Sequence, residues 1–224
     1  MTDEARADRH SLNGWVYRLR QPVDSAVPAP VYLLLHGWTG DENVMWVFAD
    51  RIPAKFLEIA PRAPYPAPRG GYSWQPEMHT GWPDYEALHP TAEQLLKFID
   101  ELRAVPELHN ADFERINLMG FSQGAALSYT FALTYPQRVR SLVGLAGFLP
   151  NNVSQLVSAQ PLAGTPVFIA HGTLDTLVPV PRARQSVELL ERAGARVTYC
   201  EDQVEHKLGT TCFQAMQAFI ERNL

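Results

Sequence analysis

Seven short runs rich in apolar and β-branched residues constrain this chain most: Trp15 to Arg20, Val31 to Leu35, Phe56 to Ala60, Arg115 to Met119, Val139 to Ala146, Pro166 to Ala170 and Arg196 to Cys200. Near-continuous apolar runs of this length suit strands buried on both faces, and the segments between them carry helical spacing. The alternation predicts an α/β fold, a mostly parallel twisted sheet of about seven strands with helices on both faces. With 224 residues, 46% hydrophobic and 19% charged, the chain can bury one large core. Disorder as the main state is excluded, and one domain over residues 1–224 is expected.

Local punctuation sharpens the reading. Thr91 with Gln94 three residues on has the form of a capping box, followed by Leu95, Phe98, Ile99 and Leu102 on one helical face. Pro181 suits a first helical turn and Gly194 a helix end. The last helix carries Phe213, Met216, Phe219 and Ile220 on its apolar face. Residues 1–12 contain no apolar run and are expected to be a flexible amino-terminal segment. Residues 61–90 hold seven of the 18 prolines together with Tyr65, Tyr72, Trp74, Trp82 and Tyr85, which predicts a long loop. Long loops in compact domains commonly form binding walls, so Tyr72, Trp74 and Trp82 are candidate substrate contacts. Arg62 and Arg69 in the same stretch are candidates to meet an anionic group.

The run ending at Met119 leads into Gly120-Phe121-Ser122-Gln123-Gly124 and then an Ala-rich helical stretch. This is G-x-S-x-G between a strand and a helix, the setting in which a serine projects from a sharp turn as a nucleophile. A serine hydroxyl is a weak nucleophile, so it needs a histidine base and a carboxylate to orient that histidine. Asp175 follows the run ending at Ala170, and His206 follows the run ending at Cys200. Both are therefore placed where α/β sheets build their sites, and the order Ser122, Asp175, His206 is that of α/β-hydrolases. Among the other histidines, His10 and His109 flank polar segments, and His79 and His89 precede the serine within the long stretch. His36 and His171 suit structural roles at strand ends. Glu201, Asp202 and Glu205 are rival acids, but they adjoin His206 in sequence and suit a solvated loop.

Acyl transfer also needs N–H donors for the oxyanion of the tetrahedral intermediate. Gln123, directly after the serine, is one candidate. His36-Gly37-Trp38-Thr39-Gly40, after the run ending at Leu35, offers the amide of Trp38 as the second, with Thr39 as runner-up.

Leu35-His36-Gly37, Gly120 to Gly124, His171-Gly172-Thr173-Leu174-Asp175 with Val178-Pro179, and His206-Lys207-Leu208 together resemble the signature segments of the carboxylesterase/phospholipase family of α/β-hydrolases, which includes the acyl-protein thioesterases. The resemblance spans residues 31 to 220 or so. It implies a small cytosolic serine hydrolase that cleaves carboxylic esters or thioesters without a cofactor. It also implies Ser122 as nucleophile, Asp175 as acid, His206 as base and Trp38 and Gln123 as oxyanion donors. Trp38-Thr39-Gly40 stands where family thioesterases often carry Leu-Gly-Asp, which favours small to medium acyl esters over a lipidated protein. A thioesterase or lysophospholipase is the alternative, and a catalytically silent ligand-binding protein is the alternative of another class.

The charge balance is −5 with no basic run, so nucleic acid is not an expected partner. No stretch is long and apolar enough for membrane insertion, and the amino terminus lacks a secretory h-region. A cytoplasmic monomer or homodimer acting on a small-molecule ester is expected, with no metal or other cofactor. Cys200 and Cys212 are expected to be free thiols.

Overall fold

The computed structural model describes residues 8–23, 28–76 and 81–223. Its centre is an eight-stranded sheet in the order β1-β2-β4-β3-β7-β8-β9-β10. The strands are β1 (Asp8–Leu12), β2 (Trp15–Arg20), β3 (Ala29–Leu35), β4 (Leu57–Pro61), β7 (Ala111–Phe121), β8 (Val139–Leu145), β9 (Pro166–Gly172) and β10 (Arg196–Asp202). All seven expected runs are strands of this sheet. From β4 through β3 to β10 every pairing is parallel, and β1 and β2 add an antiparallel edge.

The eighth strand corrects the expectation that residues 1–12 are flexible. Residues 8–12 form β1, and residues 1–7 lie outside the described residues. β1 reads Asp-Arg-His-Ser-Leu and is almost wholly exposed, so no hydrophobic pattern marks it. Its signal is the turn instead. Leu12 pairs with Trp15 across Asn13 and Gly14, both at positive φ (47° and 89°), the two-residue hairpin for which Asn-Gly is the favoured sequence.

Alternate residues of β3 divide the core. Val31, Leu33 and Leu35 face a layer that includes α1 (Tyr85–Leu102), α2 (Gln123–Thr134) and α4 (Val180–Arg192). Tyr32 and Leu34 face the layer made by the 3₁₀ segment Val44–Arg51 and α5 (Thr210–Arg222). A shorter helix, α3 (Ser154–Ser158), packs against α2 and α4. Residues 123 to 133 of α2 are all buried, as expected of a helix enclosed by a sheet on one side and helices on the other. Among the described residues no helix is long and apolar enough to cross a membrane.

Two local expectations are revised. α1 begins at Tyr85 and runs through Pro90, so Thr91 is not a capping residue; its hydroxyl donates to the carbonyl of Trp74 (2.8 Å). The irregular stretch therefore ends near residue 84, His89 lies on a helix, and His79 falls outside the described residues. Within the stretch a small hairpin forms from β5 (Tyr65–Pro66) and β6 (Tyr72–Ser73). Cys200 and Cys212 are not free thiols but a disulfide. Cys200 lies near the end of β10 and Cys212 in the first turn of α5, which packs on β10 and brings the two Cα atoms to 5.6 Å. Sequence spacing alone does not reveal that proximity, and the pairing removes the cysteine argument for a reducing compartment.

The bridge closes a segment of 12 residues' separation, for which loop closure is worth about 3 kcal/mol. Denatured without reductant, the protein should therefore release no thiolate to Ellman's reagent, and thiol reductant should lower its unfolding temperature. Two titratable thiols per chain before reduction would overturn the assignment.

Candidate active site

The site forms at the carboxyl ends of β3, β7, β8, β9 and β10. Ser122 sits between β7 and α2 with φ of 54° and ψ of −115°, a strained conformation for a residue with a side chain. The turn closes this tightly because its flanking glycines admit backbone. A Cβ on Gly120 would lie 2.4 Å from the carbonyl of Gly124, and one on Gly124 would lie 2.1 Å from that of Leu35. The Ser122 amide is anchored by the carbonyl of Leu145 (2.8 Å).

Asp175 is buried in the loop after β9. Its Oδ1 accepts from the amides of Leu177 and Val178 (2.9 Å each), which fixes the carboxylate, and its Oδ2 lies 2.6 Å from Nδ1 of His206. Because a carboxylate only accepts, Nδ1 of His206 carries the proton of this bond. The two loops are held together by backbone: the amides of Thr173 and Leu174 donate to the carbonyls of Asp202 and Val204 (2.9 and 3.0 Å).

The rival acids are committed elsewhere. Glu201 receives two hydrogen bonds from Arg184 (2.7 and 2.9 Å), which with one from Tyr199 draw its carboxyl down to about 2. Asp202 accepts from the amide of Cys212 (2.9 Å), and Glu205 is exposed. His171 is buried next to Asp175, its Nε2 2.7 Å from the carbonyl of Val178 and 3.4 Å from Oδ2 of Asp175; burial holds its pKa low.

Ser122 and His206 line one cavity of about 520 Å³, with Trp38 and Gln123 in the same wall. Gln123 is the first residue of α2, so its amide has no acceptor within the helix. Among the described residues no acceptor takes the Trp38 amide, whereas the Thr39 amide donates to the carbonyl of Tyr72 (2.9 Å). That bond removes the runner-up donor.

The three aromatic candidates separate. Trp82 lines the cavity, edge-on to Phe148 at 4.8 Å. Trp74 does not: it is fully buried, with its indole N–H donating to the carbonyl of His36 (2.7 Å). Tyr72 is also outside the cavity, its hydroxyl accepting from Arg62 (3.0 Å). Both are corrected from substrate contacts to scaffold, because their side chains are used in tying the β5–β6 hairpin to the body of the protein. Arg62 is likewise occupied by Glu42 (2.7 Å twice). Burial works to raise the Glu42 pKa, and hydrogen bonds from Arg62, its own backbone and Arg9 more than reverse that, to about 2. Gln75 and Phe148 line the cavity without having been expected there. Phe148 had a usable signal, since it follows β8 as Asp175 follows β9. Gln75 had none.

The remaining machinery is a buried polar knot beneath the turn. The side-chain oxygen of Gln123 accepts from the amide of Trp74 (3.0 Å), and its nitrogen donates to Ser73 Oγ (3.2 Å) and Gln75 Oε1 (3.3 Å). His36 accepts from the amide of Ala63 at Nε2 (3.0 Å) and donates from Nδ1 to the carbonyl of Gly37 (2.7 Å). Among the described residues no group of three or more His, Cys, Asp or Glu side chains is arranged to hold a metal.

A model of the phospholipase/carboxylesterase family matches residues 23–224. The chain belongs to the phospholipase/carboxylesterase family. Its relatives include a rice (Oryza sativa subsp. japonica) protein described as a probable inactive carboxylesterase, 27% identical over 84% of this chain and 81% of that one. Acyl-protein thioesterase 1 of Eremothecium gossypii is 30% identical over 66% of this chain and 67% of that one. The crystal structure of a Bacillus cereus carboxylesterase shares the fold, with a TM-score of 0.81 and 24% identity over 93% of this chain and 94% of the other. The chain thus has the α/β-hydrolase architecture and belongs to an esterase/thioesterase-type family.

Burial lowers the pKa of His36 from 6.5 to about 4. Its ring should accordingly stay the neutral Nδ1–H tautomer in ¹⁵N spectra from pH 8 to about pH 5. The unfolded chain takes up a proton there near pH 6.5 and the folded one only near pH 4. This residue's contribution to stability is therefore full above 6.5 and is lost as pH falls to about 4. A His36 resonance titrating near 6.5 in the folded protein would contradict the assignment.

Proposed function

We propose that the chain is a serine hydrolase of carboxylic esters working through an acyl-enzyme on Ser122. The observation that carries this is the strained Ser122 in one cavity with His206, whose Nδ1 is bound to the buried Asp175. Ser122 Oγ attacks the ester carbonyl as His206 Nε2 takes its proton. The charge on the carbonyl oxygen is met by the amides of Trp38 and Gln123, and Asp175 stabilises the imidazolium. The C–O bond to the alcohol then breaks, and the proton passes from His206 to the leaving oxygen. Water repeats the sequence on the acyl-enzyme, releasing acid and restoring Ser122, so that ester and water give acid and alcohol with no external reductant or metal in the balance.

Trp82, Phe121, Phe148 and Leu177 give the cavity apolar walls suited to a small or medium acyl chain. Acyl-protein thioesterases among the relatives support a second reading, a thioester in place of the oxygen ester. The two differ only in the leaving atom.

A fluorophosphonate probe should label Ser122 and no other serine, as read by peptide mass spectrometry. An unlabelled protein would favour a silent hydrolase fold, as in the rice relative's description. On p-nitrophenyl esters, Ser122→Ala and His206→Ala should each lose on the order of 10⁶ in kcat. Asp175→Asn should lose on the order of 10⁴. Near-normal turnover by folded Asp175→Asn would move the orienting role to another acid. Oxygen esters and thioesters of matched acyl length, compared by kcat/KM, separate the two readings.

A further inference from the structure

Among the described residues that line the cavity, Arg69 is the only Arg or Lys, and there is no Asp or Glu. Its guanidinium lies over the Trp38 ring at 5.8 Å and has no carboxylate partner among the described residues. Arg69 is itself exposed, so its charge is available to a solute at the cavity.

Arg69 is held in place by the backbone around it. It sits in the turn of the β5–β6 hairpin, closed by the amide of Ala67 on the carbonyl of Gly71 (3.0 Å). The hairpin is in turn fixed to the loop carrying the Trp38 amide: Thr39 donates to Tyr72 (2.9 Å) and Tyr72 to Gly40 (3.0 Å). Gly71 approaches so closely, at φ of 69°, that a Cβ there would meet the carbonyl of Thr39 at 1.9 Å. One bridged unit thus carries the proposed oxyanion donor and the cavity's cation.

We infer that this cavity selects esters bearing a carboxylate or phosphate group, which pairs with Arg69. The inference rests on the ester-hydrolase reading and adds the substrate class to it. The apolar walls take the neutral part of the molecule, and the anion sets its orientation before attack.

Three pairs of esters test this. p-Nitrophenyl hydrogen glutarate is compared with p-nitrophenyl pentanoate, 4-acetoxybenzoate with 4-acetoxybenzamide, and 4-acetoxyphenyl phosphate with 4-acetoxyanisole. They place the charge on the acyl side, on the leaving side as carboxylate, and on the leaving side as phosphate. The wild-type protein should prefer the anionic member of at least one pair in kcat/KM, with the preference weakening as salt is raised. Arg69→Gln should cut that ratio about tenfold, and Arg69→Glu further, because a charge-assisted hydrogen bond is lost or reversed. No preference in any pair, or a preference unchanged in Arg69→Gln, would overturn the inference. Tryptophan fluorescence of Ser122→Ala protein titrated with the same esters reads binding without turnover. Anion-selective binding that depends on Arg69 in a wild-type protein that hydrolyses nothing would keep this inference and sink the hydrolase reading. Hydrolysis of neutral and anionic esters alike would do the reverse.

Discussion

The close approach of the β7–α2 turn to the end of β3 is the constraint on which the site depends. Gly124 stands where any side chain would strike the carbonyls of Leu35 and His36, so the start of α2 can press against the loop that follows β3. That approach brings the Gln123 amide, at the electropositive end of α2, into the same wall as the Trp38 amide. It also holds Ser122 at a backbone conformation costing on the order of 1–3 kcal/mol, sustained by the buried packing of the whole of α2. On the proposed mechanism, nucleophile and oxyanion donors are thus positioned by main chain rather than by mobile side chains, which is what preorganised electrostatic stabilisation requires.

Around that contact the protein uses buried polar residues as fasteners. His36 accepts from the Ala63 amide and donates from Nδ1 to the Gly37 carbonyl, linking the end of β4 to the loop after β3. Trp74 reaches the His36 carbonyl, and Gln123 holds the Trp74 amide. The segment from Ser73 to Gln75 is thereby joined to both catalytic loops at once. A neutral His36 is part of this logic, since a charged ring could not accept from Ala63. The stretch rich in proline and aromatics is less a lid than a brace, and among its described residues Arg69, Gln75 and Trp82 are side chains that line the cavity.

What was legible in the sequence follows from the same physics. The strands were visible because a sheet covered on both faces demands unbroken apolar runs. That Ser122, Asp175 and His206 would come together was legible because each lies in the loop just beyond such a run and the strand ends share one edge. β1 was not, since an exposed edge strand needs no apolar residues, although Asn13-Gly14 marked its turn. Trp74 and Tyr72 were misassigned because aromatic content in a loop does not say which ring packs inward. That depends on partners as distant in sequence as His36. The start of α1 was misplaced because Thr91, which has the form of a cap, is instead buried against Trp74 inside a helix that runs through Pro90. The disulfide was missed because its geometry is a product of how α5 docks on β10.

That docking bears on the base. Cys200 and Cys212 bracket the loop that carries His206, and Asp202 ties the same loop to the start of α5 through the Cys212 amide. On its other side the loop is zipped to the Asp175 loop by the Thr173 and Leu174 amides, and Gly172 permits this because a Cβ there would lie 2.2 Å from the Val204 carbonyl. His206 is only partly buried, with Phe121 edge-on to its ring at 5.1 Å. Its orientation is therefore set by the closure of its loop at both ends and by the 2.6 Å bond to Asp175. On the proposed mechanism the nucleophile, Ser122, is held by the tight turn that Gly120 and Gly124 permit, whereas the base, His206, is held by covalent and backbone closure of the loop around it.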